Sequence, residues 1–201
     1  MVQQDFANHL YELNELAQKD EKRVLLFLDP MHQVHNNEND YCWQFKGKDR
    51  TKVMESNTGR RRLNIVGALN AVSLSPTVIL TEGSCTSEVI EALLREIREE
   101  YKDAKEICIV LDNASYQRAC SVQVLAKELD IRLLYLPAYC PNLNLIERLW
   151  KFFKKHIIKN KYYKAYKEFE DAVIKFFADY DKYKDSLNQL LRFKFGIIKA
   201  I

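Results

Sequence analysis

Two short apolar runs, each closed by turn residues and followed by a helical pattern, constrain this chain more than any other feature. Ile107-Cys108-Ile109-Val110-Leu111 is unbroken and ends in Asp112-Asn113-Ala114, which is turn chemistry. Leu133-Leu134-Tyr135-Leu136 is closed by Pro137. Gln117–Leu129 reads as a helix between them, and after Pro137 comes Tyr139-Cys140-Pro141-Asn142-Leu143-Asn144-Leu145-Ile146-Glu147-Arg148-Leu149-Trp150. An Asx-type cap at Asn144 is predicted to open a long amphipathic helix there. Its apolar stripe is Ile146, Leu149, Trp150, Phe153 and Ile157. At about 100° per residue, Glu147, Lys151 and Lys154 fall along one edge of that stripe. The stretch alternates strand, helix, strand, helix, so the fold class is α/β. Asp112 ends a strand and Glu147 lies in the first turn of a helix, with thirty-four residues between them.

The rest of the chain supplies a third acid in a similar place. Val24-Leu25-Leu26-Phe27-Leu28-Asp29 is an apolar strand ending in a carboxylate. Met1 to Glu21 reads as a helix leading into it, with Phe6, Leu10, Leu13 and Leu16 as its apolar stripe. His32 to Asp40 is a polar loop. Tyr41–Lys46 and Leu63–Val72 read as second and third strands, and Val78–Thr81 as a short one after them. Ser87–Tyr101 has helical spacing through Val89, Ile90, Leu93, Leu94 and Ile97. Tyr162–Ile201 reads as helical and is rich in Lys, Tyr and Phe.

The Asp112-Asn113-Ala114 turn, the Pro137-x-Tyr139-x-Pro141-x-Leu143-Asn144-x-Ile146-Glu147-x-x-Trp150 pattern and the spacing resemble DDE transposases of the mariner superfamily, in particular the bacterial insertion-sequence branch. Trp43-Gln44-Phe45-Lys46-Gly47, Gly59-Arg60-Arg61-Arg62 and Gly67-Ala68-Leu69 extend the resemblance, which covers roughly Phe6 to Ile158. Several linked motifs in order are more specific than one short pattern. The resemblance implies a ribonuclease H-like fold: a mixed five-stranded central sheet flanked by helices, three antiparallel strands followed by one lying parallel beside the first. It also implies that Asp29, Asp112 and Glu147 are catalytic and bind Mg²⁺, for which Mn²⁺ substitutes. The implied partner is DNA, at the element ends and at the target, a TA dinucleotide; a homodimer is one candidate assembly. The location implied is a bacterial cytoplasm, associated with the nucleoid. This sequence departs from the family pattern at Pro30, Tyr116, Cys140 and Leu145, and none of those changes removes an acid.

The chemistry suits these residues. Cutting and joining a phosphodiester needs an activated water or 3′-hydroxyl and a stabilised leaving oxygen, and two hard cations can supply both. Mg²⁺ keeps several waters and takes few protein carboxylates, so three acids suffice. Asp29 and Asp112 at the carboxyl ends of strands stand where open α/β sheets place their sites. Each acid also has a plainer reading: Asp29 and Asp112 as turn residues, Glu147 as a complement to the helix dipole. Arg60, Arg62, Lys151, Lys154 and Lys155 are the cations suited to DNA phosphates. His32-x-x-His35 with Cys42 hints at zinc but lacks a fourth ligand at a usual spacing. Trp43 suits a core better than a base-stacking platform.

Composition bounds the alternatives. A net charge of +3 means that any contact with DNA depends on where charge sits. No apolar run approaches the roughly 18 residues of a membrane span. Five cysteines without a C-x-x-C pair read as reduced thiols. Twenty-eight residues precede Asp29, too few for the helix-turn-helix region usual in the family. That leads to the expectation of a separate N-terminal helix-turn-helix subunit or a missing domain. The expected organisation is a catalytic domain over residues 1–160, with a lead-in helix over 1–22, and a helical tail over 161–201. Competing readings are a purely hydrolytic nuclease of the same fold and a non-catalytic DNA-binding or assembly remnant of an element.

Overall fold

The computed structural model describes residues 3–36, 38, 46, 55–57, 59–138 and 140–196. In chain order these form α1 (Gln3–Lys19), β1 (Arg23–Val34), β2 (Arg62–Asn70), β3 (Pro76–Thr81), α2 (Ser87–Glu100), β4 (Glu106–Leu111), α3 (Cys120–Glu128), β5 (Ile131–Tyr135), α4 (Ile146–Ile157), α5 (Tyr166–Ala178) and α6 (Lys184–Leu190). Short 3-10 turns at Pro141–Leu143 and Tyr180–Tyr183 precede α4 and α6. The strands make one sheet in the order β3-β2-β1-β4-β5. β1, β2 and β3 pair antiparallel, β4 lies parallel to β1, and β5 parallel to β4. This is the mixed five-stranded sheet of the ribonuclease H-like fold. The strand expected over Tyr41–Lys46, with Cys42 and Trp43, lies outside the described residues except for Lys46. The middle strand of the antiparallel set is β2, the strand expected third.

Alternation along β1 sorts the molecule into two layers. Leu25, Phe27 and Met31 face a core shared with α1, α4, α5 and α6; Val24, Leu26 and Leu28 face a second core under α2 and α3. β4 is buried on both faces, which is why its sequence shows no polar alternation. In α2 the buried set is Ile90, Leu93, Leu94 and Ile97, the spacing of one helical face.

Several boundaries differ from the sequence reading. β1 does not stop at Asp29 but continues to Val34. Its pairing with β4 ends at Phe27↔Val110, while its pairing with β2 runs on to Val34↔Arg62. Pro30 therefore sits where β1 has a neighbour on one side only, a position that tolerates the missing N–H. α3 begins at Cys120 rather than Gln117, because Gln117 and Arg118 are taken up in a turn onto the Ala114 carbonyl. In α1 Leu16 is 43% exposed and Ala17 is buried in its place. Asn144 does not cap α4. The helix starts after Leu145 without a side-chain cap, and the Asn144 amide instead donates to the Leu28 carbonyl, 3.2 Å away.

The C-terminal helices pack into the same core as α4. Phe153 meets Phe176 edge-on at 5.1 Å and stacks with Phe177 at 5.7 Å between ring centroids. The Tyr166 hydroxyl donates to the Arg62 carbonyl and the Tyr180 hydroxyl to the Leu74 carbonyl, so this region also fastens to β2 and to the turn after it.

Candidate metal and DNA site

The register of β1 and β4 puts the first two acids level. Phe27 pairs with Val110, and two residues on along each strand stand Asp29 and Asp112. Neighbouring strands lie about 4.8 Å apart. By alternation, both side chains fall on the sheet face that carries Phe27 and Val110, the face covered by α4. Asp29 emerges just where β4 ends, so no strand covers its outer side. Glu147 comes in from the first turn of α4.

The helix that brings Glu147 also grips Asp29. Trp150, one turn further along α4, donates its indole N–H to Asp29 Oδ2 at 3.1 Å. The indole fits because the residue opposite Asp29 on β2 is Gly67. A Cβ at that position would come within 2.8 Å of the indole Cη2 atom. Asn144 ties the approach to α4 to the Leu28 carbonyl, next to Asp29.

Burial pushes the Asp29 carboxyl up to about 8, with the negative charges of Glu147 and then Asp112 adding to the rise and the Trp150 hydrogen bond opposing it. That repulsion links the three acids electrostatically as well as topologically. Asp112 also makes the plain turn contact, its Oδ1 accepting from the Ala114 N–H at 2.9 Å. The neighbouring Asn113 amide donates to the Leu136 carbonyl, fixing the loop against the end of β5.

The surroundings are open. A cavity of about 680 Å³ is lined by Asp112, Asn113, Arg118, Pro137 and Pro141 among others. A second, of about 460 Å³, is lined by Asn144, Glu147, Arg148, Lys151 and Gly196 among others. Tyr116 is partly buried nearby, and burial with the charges of Asp112 and Asp29 pushes its hydroxyl upward. Cys85 is raised by burial, Arg62 opposing that rise and Asp29 adding to it.

Among the described residues no three His, Cys, Asp or Glu side chains are grouped so as to hold a metal ion by themselves, the acid trio included. The trio suits an open site, because Mg²⁺ is held by one or two carboxylates while water and phosphate complete its shell. An oxygen-only donor set with one carboxyl pushed upward by burial and by two like charges is also what a hard cation relieves. The zinc hint gains nothing: His32 Nδ1 bonds the Asn64 side chain and His35 Nε2 the Tyr163 carbonyl, while Cys42 lies outside the described residues.

The expected DNA-contacting cations divide. Lys151 is exposed and lines the Glu147 cavity. Lys155 is exposed further along α4, and Lys154 pairs with Glu38 at 3.7 Å. Arg60 and Arg62 are exposed at the start of β2. Gly67 marks the level of Asp29, so Arg62 lies five residues down the strand, roughly 17 Å along the backbone. Arg61 is committed elsewhere, paired with Glu82 at 2.9 Å and lying over the Tyr166 ring.

A family model described as DDE superfamily endonuclease matches residues 24–170, well over half of the chain. This chain belongs to that family. The match takes in all three acids of this DDE endonuclease-family chain. It is 27% identical over 119 residues to the insertion element IS630 uncharacterized 39 kDa protein of Shigella sonnei, covering 59% of this chain and 34% of that one. It is 28% identical over 101 residues to the uncharacterized protein y4pE/y4sA of Sinorhizobium fredii (strain NBRC 101917 / NGR234), covering 50% of this chain and 70% of that one. Among solved structures it superposes on the mariner Mos1 paired end complex with Mg at a TM-score of 0.68 and 14% identity, over 95% of this chain and 58% of that one. The catalytic domain of Mos1 mariner transposase gives 0.61 and 13%, over 95% of this chain and 87% of that one. The DDE endonuclease-family chain thus has the Mos1 catalytic-domain fold and spans about a third of the IS630 protein.

Sequence reasoning placed the acids but assigned Trp150 to the core stripe and Asn144 to a cap. The one signal for Trp150 was its position three residues after Glu147, which puts both on neighbouring turns of one helix.

Proposed function

We propose that this chain is the catalytic domain of an insertion-sequence transposase, cutting DNA at element ends and joining it to a target. Asp29, Asp112 and Glu147 would hold Mg²⁺ or Mn²⁺. The observation that carries this reading is the placement of Asp29 level with Asp112 on adjacent parallel strands, under the added charge of Glu147. A pair of hard cations, when bound, activates the attacking oxygen and stabilises the leaving one. The protein's own groups do the rest: Trp150 orients Asp29, the Asn113 bond fixes the loop after Asp112, and the rigid α4 carries Glu147. Lys151 and Lys155, with Lys154, Arg60 and Arg62, hold backbone phosphate. The Mos1 complexes with a transposon end, with Mg and with Mn support both the DNA and the cations. Residues 1–160 form the catalytic domain, and the helices after them complete its core. Sequence-specific recognition of the ends falls to a helix-turn-helix partner or domain, and a homodimer synapses two ends.

The test is an oligonucleotide duplex carrying the element's terminal repeat, incubated with Mg²⁺ or Mn²⁺ and target DNA. Nicking at the repeat boundary followed by joined product is expected. Nicking without joining would favour a hydrolytic nuclease. Neither, with a folded protein that still binds DNA, would favour a non-catalytic remnant.

A further inference from the structure

We propose that Trp150 is a positioning residue for the cation site, acting through Asp29. Its indole N–H takes up one lone pair of Oδ2, fixes the carboxylate's rotamer and leaves Oδ1 the freer oxygen for a cation. The inference rests on the metal-site reading of Asp29, Asp112 and Glu147 given above.

Three features make the contact a built one. Trp150 is buried, 3% exposed, so water competes poorly for the N–H. Gly67, directly across β2 from Asp29, is the residue that lets the indole in, since a Cβ there would meet Cη2 at 2.8 Å and Cζ2 at 3.0 Å. Val78, opposite Gly67 on β3, closes the far side of that gap, with its Cγ1 at 3.3 Å from the same Cβ position. The indole is therefore confined between β2 and the helix, and its one polar atom points at a carboxylate. Trp150 and Glu147 share α4, so one rigid body sets the first acid's rotamer and delivers the third acid.

The consequence concerns which cation is favoured. A carboxylate with one oxygen accepting an N–H is held in one rotamer and presents its other oxygen first to a metal. Mg²⁺ accepts such single-oxygen ligands at near-octahedral geometry, whereas Ca²⁺ readily takes both oxygens of one carboxylate. Releasing Oδ2 should weaken Mg²⁺ and Mn²⁺ and relatively favour Ca²⁺. Partners that orient a metal ligand through a hydrogen bond typically contribute about 10–100-fold in affinity.

The experiment titrates Mn²⁺ and Ca²⁺ into the full chain, reading free Mn²⁺ by electron paramagnetic resonance and Ca²⁺ by calorimetry. The proteins are the wild type, Trp150→Phe, Gly67→Ala and Phe153→Leu. Trp150→Phe removes the N–H and keeps most of the packing. Gly67→Ala keeps the N–H and crowds the indole off its place, so it serves if the first variant fails to fold. Phe153→Leu loosens the same helix without touching Asp29 and controls for a structural effect. Mn²⁺ affinity should fall about 10-fold or more in the first two, with the Ca²⁺-to-Mn²⁺ affinity ratio rising, and stay within about twofold in the third. Unchanged Mn²⁺ affinity in Trp150→Phe, or an equal loss in Phe153→Leu, would overturn the positioning role while leaving the metal site standing. A wild type that binds no Mn²⁺ would overturn both.

Discussion

Replacing Asp29 with Asn should make the metal-free protein more stable, and the gain should grow with pH. Asp29 is pushed from the ordinary 3.8 to about 8. Below about pH 4 the group is protonated in both folded and unfolded chains and contributes no pH dependence. Between about pH 4 and 8 the unfolded chain releases the proton while the folded one retains it, so stability falls by about 1.4 kcal/mol per pH unit. Above about pH 8 both states are ionised and the penalty levels off. The gap of about four pH units sets it on the order of 5 kcal/mol relative to low pH, and about 4 kcal/mol at pH 7. Asn is close in shape to the protonated acid, and its oxygen can still accept from the Trp150 N–H. The variant keeps the contact and loses the titration.

The measurement is urea denaturation of both proteins at intervals from pH 5 to 9 in chelator. The difference between them cancels the titrating groups that do not interact with Asp29, leaving Asp29 and its coupling to Glu147 and Asp112. It should widen steadily across that range in favour of Asn and flatten near pH 8–9. Millimolar Mg²⁺ should then narrow the difference, because a cation binding only the folded wild type stabilises it and displaces the Asp29 proton. Parallel pH profiles for the two proteins, or a variant less stable throughout, would refute the account of Asp29 as a carboxyl raised by burial and like charge.

Three further outcomes are expected. Asp112→Asn should abolish Mg²⁺- or Mn²⁺-dependent cleavage of end DNA while circular dichroism and melting stay near wild type, since Asn can still accept the Ala114 N–H. DNA binding by this chain alone should be weak, about 10⁻⁴–10⁻⁶ M at physiological salt, and nearly blind to sequence; competition between the terminal repeat and a scrambled duplex checks it, and a hundredfold preference for the repeat would count against it. Phe153→Ala should lower unfolding free energy by about 3–5 kcal/mol, measured in urea, because a fully buried ring between α4 and α5 is removed.

Much of this fold was legible in sequence because its strands differ in what they bury. β4, covered on both faces, announces itself as an unbroken apolar run, and the acid after it marks where that burial stops. The α4 stripe was equally plain, since all five of its predicted apolar residues are buried. The extension of β1 past Asp29 was not legible, because Pro30 reads as a strand breaker unless one knows that a single neighbour flanks it there. Nor was the role of Asn144. A polar residue before a helix has two uses, and only the three-dimensional nearness of the Leu28 carbonyl decides between them. The Trp150 bond is hidden for a like reason: periodicity tells which face of a helix is apolar, not which polar atom on that face finds an acid.

The basic and aromatic tail shows how composition misleads about nucleic acid binding. Tyr, Phe and Lys after residue 160 suit a stacking and phosphate surface in principle. In the folded chain the rings face inward: Phe169 and Phe176 are buried, and Tyr166 and Tyr180 donate their hydroxyls to backbone carbonyls of the first three strands' region. Tyr166 also draws the Arg61 guanidinium over its ring. Arg148 turns the same way, donating to the carbonyls of Arg192 and Lys194 beside the Glu147 cavity. Arg61 and Arg148 thus hold the tail. The exposed candidate cations are Lys151 and Lys155 on α4, Arg118 beside Asp112, and Arg60 and Arg62 at the start of β2. Only Lys151 of these lines the Glu147 cavity, while Arg62 stands roughly 17 Å along β2 from the level of Asp29.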